Sequence, residues 1–274
     1  MKGFRYVVVI FICALCTLFF GLSNAPTSLV SGHIFSPKTQ HVSTFSTSFE
    51  TSSPSRSHNV ALATNNFCWR VVGSGEELSF NQIVGERTAE RGYQNAKVIL
   101  YGEYVDGVGG GVCQVSTTLY NAWIRAGLEV SHVVNHSLPS SYCELSQDAT
   151  VSDYIDMILL NDSPFAVIVN GYVKDKHIVF DIYTQPTPYT FEIESSVIEY
   201  LPATAPEVEY VDSLEGLGEV QEDGENKFVV TRQEKQGYHT MAVRKKYLRG
   251  QLVGQQKIRE DYYKPTRGKI SVLK

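Results

Sequence analysis

Three consecutive glycines followed by a cysteine place the strongest constraint on how this chain can fold. Gly109, Gly110 and Gly111 allow backbone dihedrals that other residues avoid, and Cys113 follows one valine later. From Cys113 to Ala126, apolar residues recur every three or four positions, which is the period of a helix packed on a core. The pattern predicts a tight glycine turn leading into a buried helix that begins at Cys113.

A thiol at the start of a helix has the properties of a nucleophile. The first amides of a helix point outward at the positive end of the helix dipole, which favours the thiolate form of Cys113. These amides can also bind an oxyanion during acyl transfer, and a glycine run lets a ligand approach the main chain. We therefore predict Cys113 as a catalytic nucleophile, with substrate-binding residues at Gly109, Gly110, Gly111, Ser116 and Thr117.

A cysteine nucleophile needs a base and a group that orients the base. His136 follows the predicted helix, and Asp148 lies a little farther along the chain. An imidazole can accept the thiol proton, and a carboxylate can fix the tautomer of that imidazole. Gln114 is predicted to donate a further hydrogen bond to the oxyanion, although a capping or solvent-facing glutamine has the same appearance in sequence. The predicted catalytic residues are thus Cys113, His136, Asp148 and Gln114.

Other interpretations of these residues stay open. His132 and His136 with Cys113 and Cys143 have the residue types of a zinc site, but the valines between the histidines favour a strand, where this spacing does not fix tetrahedral geometry. Cys113 can instead be a small buried side chain at the start of a core helix. A disulfide can join Cys68 and Cys143 and leave Cys113 free, or it can include Cys113. A nucleotide-binding loop is disfavoured, because the Lys-Ser/Thr pair that ends it is absent. We expect no metal and no cofactor.

The N-terminus has the pattern of an export segment. Lys2 and Arg5 precede an uncharged apolar run over residues 6–22, so residues 1–25 are predicted to be a signal peptide or a membrane anchor. The positive-inside bias then places the rest of the chain outside the membrane, either secreted or anchored. The formal net charge of −5, with no long Lys/Arg cluster, argues against nucleic acid as a partner.

Composition divides the remaining chain into two folded regions and two linkers. Residues 26–60 are rich in Ser and Thr without an apolar period, which predicts a linker. Residues 61–185 form the first predicted domain. Residues 186–221 contain four prolines and many acids and are predicted to be a second linker. Residues 222–274 alternate in polarity and are predicted to form a small β module.

Short β-rich segments surround the predicted helix in the first domain. Those at residues 67–72, 157–160 and 165–183 are expected to form one sheet, with the helix packed on it. The predicted fold class is α+β: a mainly antiparallel sheet with one central helix starting at Cys113, followed by a small all-β C-terminal module.

From about Gly75 to Tyr183 the chain resembles the VanW family, proteins associated with vancomycin-resistance clusters and widespread in Gram-positive cell envelopes. The resemblance is carried by the stretch from Gly109 to Ala122 and by four shorter motifs: Leu78-Ser79-Phe80-Asn81, Val84-Gly85-Glu86-Arg87-Thr88 with Gly92-Tyr93, His136-Ser137 and Asp148-Ala149-Thr150-Val151. Residues 143–147 depart from the family pattern. Residues 222–274 are similar to the second half of a G5 domain, a β-rich envelope module.

The resemblance implies an exported protein on the cell-wall side that acts on or binds peptidoglycan or its peptide stems. It also implies the membrane as a contact of the N-terminal segment. In one hypothesis the protein is a cysteine-dependent hydrolase or transpeptidase linked to glycopeptide resistance. In the alternative it is a non-catalytic cell-wall-binding or assembly module.

Overall fold

A computed structural model describes residues 38–100 and 103–274 of the chain, without the side chains of residues 99, 100, 103 and 104. The predicted export segment of residues 1–25 lies outside the described residues. Within them, no helix has the length and apolar character needed to cross a membrane.

The described residues are predominantly β-structure. Strands account for 46% of them and helices for 15%, so the predicted α+β class is wrong and the fold is mostly antiparallel β. The helices are α1 Pro54–Asn65, α2 Phe80–Val84, α3 Val112–Arg125 and the short 3-10 helix Ala89–Arg91. The strands are β1 Gln40–Ser48, β2 Arg70–Val72, β3 Glu77–Ser79, β4 Asn95–Leu100, β5 Glu103–Val108, β6 Glu129–His132, β7 Ile158–Leu160, β8 Val167–Lys174, β9 His177–Thr184, β10 Tyr189–Leu201, β11 Glu207–Val211, β12 Gln221–Asp223, β13 Asn226–Arg232, β14 Gly237–Leu248, β15 Gln251–Tyr263 and β16 Lys269–Leu273.

The first sheet has the strand order β1-β9-β8-β2, and helix α3 packs on β1 and β9. The predicted hairpin at residues 165–183 is present as the antiparallel pair β8 and β9. The segment at residues 157–160 contains β7, which instead lies between β3 and β6 in a separate sheet. The prediction of one sheet for all these segments is therefore wrong.

Strand β1 and helix α1 occupy most of the predicted first linker, so that prediction is wrong over residues 40–60. Strand β1 has no strong apolar alternation because its buried side chains bind helix α3 through hydroxyls. Ser43 donates to the Ala122 carbonyl at 2.8 Å, and the hydroxyls of Thr47 and Thr118 lie 2.8 Å apart. Composition alone cannot separate such a strand from a polar linker.

Helix α3 begins at Val112, one residue before the predicted start, with Gly111 as its N-cap at φ 106°. Val115, Leu119 and Trp123 are fully buried in the core, as the apolar period predicted. The prediction of one central helix is wrong, because a second helix, α1, packs against α3. Its amphipathic pattern correctly predicted helical structure but not the number of helices around it.

The C-terminal region forms two further sheets, ordered β10-β14-β15 and β11-β16-β13-β12. Strand β10 pairs along its length with β14, and β11 pairs in parallel with β16, so the predicted linker at residues 186–221 is wrong over both strands. The first of these sheets packs on the region that carries α3. The Phe191 ring lies against Gly127, where a Cβ atom would come within 2.3 Å of it, and Arg244 donates to the Leu128 carbonyl at 2.8 Å.

Candidate active site

The structure brings Cys113, His136 and Asp148 together at the N-terminus of α3. The Nδ1 atom of His136 lies 2.6 Å from Oδ2 of Asp148, and the backbone N–H of His136 donates to the same oxygen at 2.6 Å. The imidazole also acts on the Cys113 thiol, because the two groups shift each other's pKa values. Since Asp148 occupies Nδ1, Nε2 is the ring nitrogen left for the thiol.

The environment favours the ionised forms of all three side chains. Burial opposes ionisation of the Cys113 thiol, but the hydrogen bond and charge of His136 lower the pKa of that thiol below its ordinary value. Burial also lowers the pKa of His136, yet hydrogen bonds to Asp148 and Cys113 raise it to about 10. Burial raises the pKa of Asp148, but the hydrogen bonds and charge of His136 and the charge of Arg259 together lower it below its ordinary value. The surroundings therefore shift the balance towards a thiolate beside an imidazolium and away from the neutral pair.

The main chain of Val151 completes the surroundings of the thiol. Its N–H group lies 3.5 Å from the Cys113 sulfur, and its carbonyl lies 3.3 Å from the same atom. The N–H contact stabilises the thiolate, and the carbonyl can accept the hydrogen of the neutral thiol. Cys113 is partly exposed, whereas His136 is 4% exposed and Asp148 is 1% exposed. Cys113 is thus the member of this cluster with the most exposed surface.

Ser116 and Thr117 hold the segment that carries Asp148, and their predicted role in substrate binding is wrong. Ser116 Oγ donates to the Ala149 carbonyl at 2.6 Å, and the Ala149 N–H donates to Thr117 Oγ1 at 2.9 Å. Both side chains are fully buried. Their hydroxyls therefore position Asp148 and Val151 against the start of α3 instead of facing a ligand.

Gln114 points away from the thiol, so its predicted role as an oxyanion donor is also wrong. Its Nε2 group donates to Thr47 Oγ1 at 2.9 Å and to the Ser48 carbonyl at 2.8 Å, and its Oε1 accepts from Arg56 at 2.7 Å. Both N–H groups of the side chain are used within the protein. Gln114 is 1% exposed and joins α3 to β1 and α1.

The glycine run packs against protein atoms instead of forming an open ligand cradle. A Cβ atom on Gly109 would lie 2.8 Å from Arg87 Cβ, one on Gly110 would lie 2.6 Å from the Lys97 carbonyl oxygen, and one on Gly111 would lie 2.9 Å from Val60 Cγ2. Gly109 and Gly111 also have positive φ values of 84° and 106°. These contacts and dihedral angles account for the three glycines by packing alone, and the predicted substrate-binding role of their main chain stays a prediction.

Two residues from the C-terminal region support Asp148 and were not predicted from the sequence. The Tyr263 hydroxyl donates to Asp148 Oδ1 at 2.5 Å and accepts the Ser146 N–H at 2.8 Å. Arg259 donates to the Asp148 carbonyl, and its guanidinium lies 4.0 Å from Oδ1 of the same residue. Tyr263 is fully buried. Arg259 lies 111 residues after Asp148 in the chain, and Tyr263 lies 115 residues after it. No sequence pattern connects residues so far apart.

Residues 55–183, which hold the whole cluster of Cys113, His136 and Asp148, match the model of the family described as VanW like protein. The chain carries a VanW domain. It is 46% identical over 114 residues to "Uncharacterized protein YoaR" of Bacillus subtilis (strain 168), covering 42% of this chain and 38% of that protein. It is 24% identical over 174 residues to "Vancomycin B-type resistance protein VanW" of Enterococcus faecalis (strain ATCC 700802 / V583), covering 59% of this chain and 63% of that protein.

In both cases the match spans less than two thirds of the relative's length. The solved structure titled "Crystal structure of HP0197-G5" aligns with 30% of this chain and 95% of that one, at 12% identity and a TM-score of 0.17. A score of this size carries no argument about the fold of the C-terminal region, so its similarity to a G5 domain stays a prediction.

The other cysteines of the VanW domain do not join the site. Cys113 and Cys143 form no disulfide. Burial raises the pKa of the Cys143 thiol to about 12, and its sulfur lies 3.1 Å from Ser140 Oγ. His132 is exposed, and the described residues hold no group of three or more His, Cys, Asp or Glu side chains that could bind a metal. The alternative interpretation as a zinc site is therefore wrong.

Proposed function

We propose that this protein is a cell-envelope enzyme that transfers acyl groups of peptidoglycan stem peptides, as a hydrolase or a transpeptidase, with Cys113 as its nucleophile. The observation that carries the proposal is the buried His136–Asp148 pair at the N-terminus of α3, where His136 lowers the pKa of the Cys113 thiol. Two further points support the setting: the apolar segment predicted for export, and the vancomycin resistance in the printed name of one relative.

The proposed reaction begins with the thiolate form of Cys113. Its sulfur attacks the carbonyl carbon of a peptide bond, and the oxyanion that forms is stabilised by the positive end of the α3 dipole, where Cys113 is the second helical residue. As the C–N bond breaks, the His136 imidazolium gives its proton to the departing amine, which leaves a thioester on Cys113. Asp148 keeps the imidazole in place and stabilises its charged form throughout.

The second half of the reaction releases the acyl group. Water in a hydrolase, or an amine in a transpeptidase, attacks the thioester carbonyl while neutral His136 accepts the proton of the attacking group. The S–C bond breaks, and the thiolate and imidazolium are restored. The two activities thus share all the residues of the site and differ in the acceptor that reaches the thioester.

The test is turnover of muropeptides by the purified protein and by Cys113→Ala, with Cys143→Ala as the matched control. Mass spectrometry of soluble muropeptides detects cleaved or newly cross-linked stems. We expect Cys113→Ala to lose at least about a thousandfold in rate, because it removes the covalent step, and Cys143→Ala to retain activity. Turnover by a folded Cys113→Ala protein would refute the proposal. Equal peptidoglycan binding by wild type and Cys113→Ser, with no turnover by either, would favour the non-catalytic binding module.

A further inference from the structure

Arg87 lies beside Cys113 with part of its guanidinium unpaired. Its Cβ and Cγ atoms pack closely against Gly109, in the loop that leads into α3. Its positive charge contributes to lowering the pKa of the Cys113 thiol. Nη1 donates to the Gly85 carbonyl at 3.3 Å, whereas Nη2 is buried and has no hydrogen-bond partner among the described residues. A buried charged donor without an acceptor is rare in folded proteins and destabilising.

Tyr93 supplies a second unpaired donor next to Arg87. The side chain is 4% exposed, and its hydroxyl oxygen is buried without a hydrogen-bond partner in the part of the chain that the structure describes. The two residues come close together because the Tyr93 N–H donates to the carbonyl of Thr88, the residue after Arg87, at 3.1 Å. Burial raises the pKa of Tyr93, and the charges of Arg87 and Arg91 oppose that rise. Both residues belong to the motifs that resemble the VanW family, and neither has a part in the proposed transfer chemistry. Two adjacent donors without acceptors indicate a missing anionic acceptor.

We propose that Arg87 and Tyr93 bind a carboxylate of the substrate, so that the enzyme acts on peptides with a free carboxylate close to the scissile bond. The inference rests on the proposed function, because it places this carboxylate beside the Cys113 nucleophile. A guanidinium matches a carboxylate by charge and by its fork of N–H groups, and a tyrosine hydroxyl can donate to the same group. The Arg87 guanidinium therefore has two effects: it favours ionisation of the Cys113 thiol, and it selects a substrate that carries a carboxylate.

Two alkylating reagents separate these two effects. Iodoacetate and iodoacetamide have nearly the same size and react by the same step, in which the thiolate forms an S–C bond and iodide leaves. Only iodoacetate carries a carboxylate. Because both rates depend equally on the thiolate fraction, their ratio at Cys113 reports binding of the carboxylate and not the pKa of the thiol. Peptide mapping assigns each rate to Cys113.

We expect Arg87→Gln to lower the iodoacetate-to-iodoacetamide rate ratio about tenfold, the change expected for loss of one charge-assisted pair at a partly exposed site. Arg87→Lys should lower it less, because it keeps the charge and loses the fork. Arg70→Gln is the matched control, since this exposed arginine donates to the Asn66 carbonyl and has no contact with Tyr93 or Cys113, and its ratio should equal that of wild type.

Circular dichroism melts establish that each variant is folded. If Arg87→Gln does not fold, the ratio for wild type is measured against salt, and it should fall as ions screen the guanidinium. An unchanged ratio in folded Arg87→Gln, or a wild-type ratio that salt does not alter, overturns the carboxylate site and leaves the nucleophile proposal intact. A wild-type Cys113 that neither reagent labels overturns both proposals.

Discussion

Asp148 is the residue on which the charge state of the candidate site depends. It is almost completely buried, and its two carboxylate oxygens accept hydrogen bonds from His136 and from Tyr263. A buried carboxylate without such donors would take up a proton, since burial alone raises its pKa. The hydrogen bonds and charge of His136, together with the charge of Arg259, have the opposite effect and lower this pKa. The negative charge they preserve is what holds His136 as an imidazolium next to the thiol.

Replacement of Asp148 by Asn should therefore shift thiol reactivity to higher pH. Asp148→Asn removes the charge that helps to raise the pKa of His136 to about 10, so this pKa should fall towards 6.5. With a neutral imidazole beside it, the Cys113 thiol should ionise at a higher pH than in wild type. Since only the thiolate reacts, the rate of iodoacetamide labelling rises with pH through the thiol pKa, and the midpoint of this rise should move up.

The control for this measurement is Asp153→Asn, which changes an exposed carboxylate on the following loop. Its labelling profile should coincide with that of wild type. Coincidence of the Asp148→Asn profile with wild type would contradict the electrostatic role given to Asp148. An NMR titration of the His136 ring measures the same change without the thiol reagent.

At the scale of elements, helix α3 organises the site through side chains that its amphipathic pattern does not explain. The apolar period predicted the helix and its core face, because burial repeats with the helical turn. The polar positions between these apolar residues looked like solvent-facing or ligand-binding groups. In the folded chain they are buried, and they bind distant backbone: Ser116 reaches Ala149, and Gln114 reaches β1. A local period cannot identify such partners, since they are set by the tertiary fold.

Gln114 gives a direct test of this structural role. Gln114→Ala leaves Thr47, the Ser48 carbonyl and Arg56 without their contacts to α3, so we expect a loss of about 1–3 kcal/mol in the free energy of unfolding. Urea denaturation measures that loss. The iodoacetamide labelling rate of Cys113 in the folded variant should stay within about twofold of wild type, because no contact between Gln114 and the thiol is lost.

The matched control is Gln82→Ala, at an exposed glutamine of α2 with no part in these contacts. Its unfolding free energy should change by less than about 0.5 kcal/mol. The structural assignment of Gln114 would be wrong if Gln114→Ala retained full stability and lost thiol reactivity, since that is the behaviour of an oxyanion donor.

At the scale of the whole molecule, the C-terminal region is part of the candidate site and not a separate attachment. The residue types and spacing of Cys113, His136 and Asp148 were enough to predict that they belong together. The sequence does not predict that β15 supplies residues to the site, because the prolines of residues 186–221 predict a linker between the two folded regions. That segment instead contains β10, whose Phe191 packs against Gly127 at the end of α3. Docking of this sheet brings Arg259 and Tyr263 to Asp148.

This docking predicts that a change in the C-terminal sheet alters the thiol in the VanW domain. Tyr263→Phe keeps the ring in the core but removes the hydroxyl that donates to Asp148 and accepts the Ser146 N–H. Asp148 then keeps its bonds to His136 but loses one donor that favours its charged form. We expect a loss of about 1–3 kcal/mol in the free energy of unfolding, since a buried carboxylate oxygen and a buried N–H group are left unpaired.

The pH midpoint of Cys113 labelling should rise in Tyr263→Phe, by less than in Asp148→Asn, because the carboxylate is weakened and not removed. Tyr262→Phe is the control, since the neighbouring tyrosine is 58% exposed and stacks on His239 on the other face of the strand. Its stability and labelling profile should match wild type. If Tyr263→Phe loses stability while its labelling profile also matches wild type, the C-terminal sheet supports the fold of the VanW domain but has no influence on its nucleophile. A midpoint of Cys113 labelling that shifts in Tyr263→Phe but not in Tyr262→Phe would instead show that the C-terminal sheet influences the thiol, because Tyr263 reaches it only through the charge of Asp148.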